Sequence, residues 1–284
     1  MRLPPALTSA SHPLARQARA LARGARQRRE EGLFLVEGPR GLAEALDRAG
    51  EVVWVLVAAS RAGRPEFAGL VATCHERAIP VQPVRDALLA RLAPTEHGPG
   101  LLAACRLPES ADAPQAAIEA AGAGLLVVTW EIQDPGSLGA LVRSAAAFGA
   151  DALLAAGGAD PWNPKAVRAS AGAIHDLPVA RHADAGAACD PVLARDARRV
   201  AAIARGGRDP RAIEWTGPLT LLLGSEVRGL PDALRDGAEP VTIPTTGRVE
   251  SLSVPIAGSI LLAESARARG LAGGGHAGAK RSHR

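Results

Sequence analysis

Apolar positions along the 284 residues fall into two regimes. Near the amino terminus, short apolar runs alternate with polar helical patterns. A polar helix is predicted over about 14–30, then the strand Leu33-Phe34-Leu35-Val36 and a helix over roughly 39–49. The strand Val52-Val53-Trp54-Val55-Leu56-Val57 follows. A mixed stretch over 66–92 ends at Pro94, and Gly100-Leu101-Leu102-Ala103-Ala104-Cys105 closes the unit as a strand. Pro108, Pro114 and a run of small residues place a linker at 109–123.

Beyond the linker the pattern becomes regular. Leu125-Leu126-Val127-Val128-Thr129-Trp130 is a continuous apolar run, as expected of a parallel strand covered on both faces. A helix at about 138–148 and the strand Ala152-Leu153-Leu154-Ala155 come next. Leu219-Thr220-Leu221-Leu222-Leu223 forms a strand that stops at a glycine, and another strand around Val241-Thr242-Ile243 leads to a helix over roughly 254–269. Alternating strands and helices predict an open, mostly parallel α/β sheet. The expected organisation is a smaller α/β domain over 1–108, the linker, a larger α/β domain over 124–269, and a Gly-rich, then basic, disordered tail over 270–284.

Composition narrows the function classes. With 47% apolar residues, a chain of this length can bury a core in each of two domains. No run of 18 apolar residues occurs, so no membrane-spanning helix is expected. Cys74, Cys105 and Cys189 lie far apart without a C-x-x-C pair. That spacing offers neither a zinc site nor a disulfide framework and suits a reducing cytoplasm, and no apolar signal-peptide core lies near Met1.

Charge adds a direction. Only Lys165 and Lys280 of the 33 basic residues are lysine, a bias that goes with heavy Ala and Gly usage and makes arginine abundance uninformative. Its distribution informs more. Residues 1–108 carry a net charge of +5, 109–269 of −4 and 270–284 of +3, so a polyanion is drawn to the amino-terminal unit and the tail. Arg16, Arg19, Arg23 and Arg26 are spaced to share one helix face that could track RNA phosphates, although a solvated face accounts equally well for any one of them. Four Trp, three Phe and no Tyr provide no stacking platform, which favours recognition of RNA by shape.

Three segments lie just beyond the carboxyl ends of predicted strands, where open α/β sheets bind ligands. In the first, Asp134-Pro135-Gly136 is a turn, Ser137 is placed to cap the helix after it, and Gly139 permits close backbone approach. Glu131, Asp134 and Arg143 gather around this strand end, which an ordinary strand–turn–helix junction does not require. The second, Leu223-Gly224-Ser225-Glu226-Val227-Arg228-Gly229-Leu230, brackets a carboxylate with glycines; alone it reads best as a tight surface loop. In the third, Ile243-Pro244-Thr245-Thr246-Gly247 leads to Glu250-Ser251-Leu252-Ser253-Val254-Pro255, where Ser253 can cap the last helix. Phosphate-loop motifs are absent, and Gly122-Ala123-Gly124 precedes its strand, the wrong order for a dinucleotide fingerprint.

Taken together, D-P-G-x-x-G-A-x-x-R-S-A-x-A-F-G, L-G-S-E-x-x-G-L and I-P-x-x-G-x-x-x-S-L-x-V-x-x-A resemble the three motifs of the SpoU (TrmH-like) ribose methyltransferases, in order and spacing, over about 124–268. Phe34-Leu35-Val36-Glu37-Gly38 with Ala43-Glu44-Ala45-Leu46 is similar to the substrate-binding domain of many of these enzymes. The resemblance implies a trefoil-knotted SPOUT methyltransferase domain, a homodimer whose active sites use both subunits, and S-adenosylmethionine held mainly by the backbone of Gly224, Ile243 and Leu252. It implies that Arg143 acts at the reacting ribose, with Glu226 and Ser251 shaping the site. An arginine titrates above ~12, so positioning the hydroxyl suits Arg143 better than accepting its proton. Ser137 and Ser253 stand where the family usually has asparagine; serine caps a helix as well but lacks the reach and the paired donor and acceptor of a carboxamide. No metal is implied. The expected activity is methyl transfer to a ribose 2′-hydroxyl of structured RNA, with 23S ribosomal RNA favoured over tRNA. The runner-up is an RNA-binding protein of the same fold that no longer methylates.

Overall fold

A computed structural model describes residues 3–48, 50–95, 98–109 and 111–271. The amino-terminal unit begins with α1 (Pro13–Arg23) and α2 (Ala25–Glu31), joined at Gly24. The predicted single helix is therefore two, and Arg26 lies on a different helix from Arg16, Arg19 and Arg23. Helix α1 buries Ala15, Ala18 and Leu21, one side of the cylinder, and its arginines fall on the others. Then come β1 (Leu33–Glu37), α3 (Gly38–Asp47), β2 (Val52–Ala58), α4 (Pro65–Glu76), β3 (Val81–Val84), α5 (Asp86–Leu92) and β4 (Leu101–Arg106). The four strands form a mixed sheet in the order β1-β4-β2-β3, with β4 antiparallel to both neighbours and β3 parallel to β2.

The stretch expected to be a linker contains a helix, α6 (Pro114–Ala121). Pro114 is tolerated in its first turn, and Ala117, Ile118 and Ala121 bury one face against the second sheet. That sheet continues the chain through β5 (Leu125–Trp130), α7 (Pro135–Ala147), β6 (Ala152–Ala156), α8 (Pro164–Ala169) and β7 (Val179–His182). It ends with α9 (Cys189–Ala194), β8 (Arg198–Ala202), β9 (Leu219–Leu223), α10 (Asp232–Arg235), β10 (Glu239–Val241) and α11 (Val254–Ala268). All six strands are parallel, in the order β10-β8-β9-β5-β6-β7. Every residue of β5, β6 and β9 is buried, as covered parallel strands require. From β5 the chain steps outward through β6 to β7, crosses to β8, then returns to place β9 beside β5. The switch point of the sheet lies between those two strands.

Two close backbone approaches depend on glycine. A Cβ on Gly139 of α7 would lie 2.2 Å from the Ala166 carbonyl oxygen, so α7 and α8 touch there. A Cβ on Gly258 would lie 2.6 Å from Leu141 Cδ2 and 2.9 Å from Leu223 Cδ1, so α11 returns from the outermost strand to lie against α7 and β9. Of the tail, residues 272–284 lie outside the described residues.

The two sheets share a continuous apolar core in which Phe34, Val36 and Leu42 join Ile174 and Leu177, and α8 packs against β1. A polar clasp crosses the same seam. The Arg28 side chain, 2% exposed, donates from Nε and Nη2 to Asp160 Oδ2 at 2.9 and 2.6 Å and from Nη1 to the Leu21 carbonyl at 2.6 Å. Arg28→Ala removes the buried cation from the largely covered Asp160 carboxylate and is expected to cost about 3 kcal/mol, read as a lower urea midpoint; an unchanged midpoint would show that the clasp does not hold the seam. Gly139→Ala forces a methyl group into a carbonyl and is expected to cost about 1–3 kcal/mol, measured by the same melt.

Candidate active site

The parallel register brings several strand ends level. Thr129 of β5 pairs with Leu223 of β9, Ala201 of β8 with Leu222, and Val241 of β10 with Ala202. The loops leaving β8, β9 and β10 therefore open onto one crevice, a cavity of about 320 Å³. Ala202, Leu223, Val241, Leu252, Ala257 and Leu261 give it apolar walls, while Ser225, Glu226, Glu250 and Ser251 bring polar groups to it. Gly224, Glu226, Ile243, Ser251 and Leu252, five of the residues singled out from the motifs, all line it.

Local geometry explains the sequence at each wall. A Cβ on Gly224 would sit 2.4 Å from the Gly229 carbonyl carbon and 2.6 Å from the Leu230 amide, so the second loop folds back directly over this position. The fold-back is closed by the Gly229 amide donating to the Ser225 carbonyl at 2.9 Å, with Gly229 at φ +64°. Neither Ile243 nor Leu252 has a backbone hydrogen-bond partner among the described residues, which leaves donors and acceptors beside an apolar wall. Such a cavity suits a heterocycle bound by its edge to peptide groups and by its faces to aliphatic side chains.

Arg143 is not in this cavity. It is exposed on α7 and lines a second one, of about 540 Å³, between the two sheets. Glu37, Arg40, Glu44, Arg168 and His175 share that space. The Glu37 carboxylate, 4% exposed, accepts from Arg168 Nη1 at 3.2 Å and from the Thr95 hydroxyl. Burial holds His175 below the usual imidazole range; Arg48 reinforces this, and Asp176 and Glu44 oppose it.

Ser137 and Ser253 line neither cavity. Ser137 is not the cap of α7. Pro135 takes the first helical position, so the helix starts earlier than expected and Asp134 is the cap. The Ser137 amide and hydroxyl donate to Asp134 Oδ2 at 2.9 and 3.1 Å. The Lys165 ammonium, then these Ser137 donors, pull the Asp134 carboxyl down to about 2. Ser253 does stand at the cap position of α11, but its side chain makes no capping hydrogen bond. Glu131, Asp134 and Arg143, expected around one strand end, are drawn apart. Glu131, at φ +50°, faces Arg228 of the second loop at 3.6 Å, Asp134 faces Lys165, and Arg143 faces the interdomain cavity.

The motifs did not point to the β8 wall (Ala202, Ile203, Ala204) or to Arg228, Arg235 and Glu250. Strand β8 reads Arg-Arg-Val-Ala-Ala, too short and too charged at one end to stand out as a strand. Among the described residues no group of three or more His, Cys, Asp or Glu could hold a metal, and no helix is long and apolar enough to cross a membrane.

Comparison with known proteins agrees with this arrangement. Residues 124–263 match the SpoU rRNA Methylase family, and residues 13–103 match the MRM3-like substrate binding domain. A 23S rRNA (uridine(2479)-2′-O)-methyltransferase from Streptomyces viridochromogenes is 30% identical over 263 residues, covering 89% of each chain. The AdoMet-bound rRNA methyltransferase from Sinorhizobium meliloti superposes with a TM-score of 0.78 at 26% identity, covering 93% of this chain and 97% of that one. The SpoU methyltransferase AviRb from Streptomyces viridochromogenes, in complex with AdoMet, gives a TM-score of 0.76 at 28% identity, covering 89% and 97%. The parallel α/β domain with its amino-terminal substrate-binding domain is the SPOUT arrangement of these neighbours, and the chain belongs to the SpoU rRNA methylase family of RNA methyltransferases.

Proposed function

We propose that this protein transfers a methyl group from S-adenosylmethionine to a ribose 2′-hydroxyl of structured RNA, with 23S ribosomal RNA as substrate, in the reducing cytoplasm. The observation that carries the reading is the convergence of Gly224, Glu226, Ile243, Ser251 and Leu252, residues from two separate motifs, on one cavity at the strand ends.

The cavity fits the cofactor. It has apolar walls for an adenine ring, peptide groups at Ile243 and Leu252 with no partner among the described residues for its edge, and a loop packed tightly over Gly224 that forms one wall. When bound, S-adenosylmethionine supplies an electrophilic sulfonium methyl group. Gly224, Ile243 and Leu252 hold it by backbone groups, and Glu226 and Ser251, exposed beside the pocket, bound the approach of the ribose. Methyl transfer needs the 2′-hydroxyl held in line and its proton drawn away. Arg143 would do the first, as a fixed cation that orients the hydroxyl and a neighbouring RNA phosphate, and the released proton passes by way of that phosphate to solvent. The two serines at the family's asparagine positions lie outside the pocket lining and leave it intact.

Since Arg143 lines a different cavity from the cofactor residues, one subunit does not assemble the whole site. We assign the missing arginine to a second copy of the chain. Ile256 and Ile260, one turn apart on α11, are 53% and 37% exposed beside the pocket residues and supply an apolar strip for that contact.

Calorimetric titration with S-adenosylmethionine is expected to show saturable binding that Leu252→Glu removes, because a carboxylate then occupies the apolar wall; no binding by the wild type would refute the cofactor assignment. Methyl transfer to 23S ribosomal RNA is expected to fall by at least ~100-fold in Arg143→Ala while cofactor affinity holds. Mixing the inactive Arg143→Ala and Leu252→Glu chains is expected to restore activity, since each heterodimer then keeps one pocket facing one arginine. Failure of the mixture to recover would place Arg143 and the pocket on the same subunit.

A further inference from the structure

A groove of about 420 Å³ runs along the junction of the two sheets on the side facing α1. Arg19 and Arg23 of α1 and Arg91 of α5 line it from the amino-terminal unit; Asn163, Lys165 and Arg168 line it from the segment entering α8 and from α8 itself. Five cations thus meet in one concave surface, and no carboxylate is among its lining residues. Arg19, Arg23 and Arg91 have no ion-pair partner among the described residues. Lys165 and Arg168 are paired with Asp134 and Glu37, so three of the five cations face the groove without a carboxylate partner among the described residues, and a polyanion lying there would supply one.

The groove is also connected to the chemistry. Arg168 lines both it and the interdomain cavity that holds Arg143. Lys165, at the other wall, pairs with Asp134, the cap of the helix that carries Arg143. A chain of phosphates lying in the groove would therefore lead along Arg168 toward Arg143.

Resting on the reading of RNA as substrate, we propose that this composite groove binds the phosphodiester backbone of the substrate RNA and sets its register on the enzyme. The track is then not the single helix face of Arg16, Arg19, Arg23 and Arg26. Only Arg19 and Arg23 of that set belong to it, and two of its five cations come from the catalytic sheet. Phosphate contacts position a nucleic acid without reading its sequence, so a labelled RNA stem-loop is a sufficient probe.

The experiment compares the wild type, Arg23→Gln/Arg91→Gln, and Arg64→Gln/Arg211→Gln, which removes the same charge from exposed positions outside the groove. Affinity for the stem-loop is measured against salt concentration, with S-adenosylmethionine titration reporting folding. The groove pair is expected to lose about one unit of the salt slope per arginine and at least roughly tenfold in affinity at ~0.1 M salt, with the control pair near wild type. In methyl transfer, KM for RNA rises in the groove pair and kcat holds at saturating RNA. Equal losses in both pairs would mean that net charge alone acts, and no loss in the groove pair would mean that phosphates run elsewhere; either result overturns the groove. If the wild type methylates RNA while the groove pair binds as tightly, the groove alone falls. If groove-dependent binding is seen without any methyl transfer, the methyltransferase reading falls and the groove stands.

Discussion

The feature on which the rest depends is the adjacency of β9 and β5 at the middle of an all-parallel sheet. Both strands are buried at every position, so each is covered on both faces, and both run in the same direction, so their carboxyl ends come level. Loops leaving two neighbouring parallel strands toward opposite sides must part, and a crevice opens where they do. The pocket lies on the β8 side of that point, where the ends of β8, β9 and β10 meet, and the loop after β9 folds over it because Gly224 has no side chain to hold Gly229 and Leu230 off. Gly258 lets α11 lie against Leu141 and Leu223, which fixes the third loop above the second. The pocket is thus built from backbone proximity and aliphatic walls, a suitable surface for a cofactor recognised by its ring edge and faces.

Polar chemistry is concentrated at the seam between the sheets instead. Arg28 and Asp160 are buried against one another, Arg168 reaches Glu37, and Arg48 reaches Asp176. Buried pairs contribute little net stability, but they penalise any other relative placement of the groups that form them. Here the Arg28–Asp160 pair and the buried Glu37 carboxylate constrain how the substrate-binding unit sits on the catalytic unit, and with it the shape of the cavity around Arg143 and of the arginine-lined groove beside it, while the exposed Arg48–Asp176 pair adds little. Burial pushes the Cys105 thiol up to about 12, so that cysteine acts as packing and takes no part in this chemistry.

These two constraints divide the work. The sheet positions the pocket residues within one chain, while Arg143 points away from them into the seam. An exposed apolar strip on α11 and a cationic groove at the seam are then complementary features. One is an apolar surface and the other a cationic surface suited to a polyanion.

Much of this was legible in the residues. Near-continuous apolar runs, broken only by Thr129 and Thr220, identified β5, β6 and β9, because a strand buried on both faces has few polar positions to obscure it. Gly139 marked a close approach, since only the absence of a Cβ permits it; the one at Gly224 emerged from the fold-back of its loop. The resemblance of the motifs to those of the SpoU family, rather than their residues taken alone, singled out the five residues that line the pocket. What the sequence could not settle was decided by contacts between distant segments. Strands β3, β7 and β8 are short and partly polar, and they exist because neighbouring strands supply their hydrogen bonds. The supposed linker became α6 because the second sheet offered a face for Ile118. Asp134 displaced Ser137 as the cap because Pro135 can start a helix and Lys165, from α8, stabilises the carboxylate. Arg143 belongs to the motif by spacing, but the direction of its side chain follows from how α7 packs, and that packing turned it toward the seam.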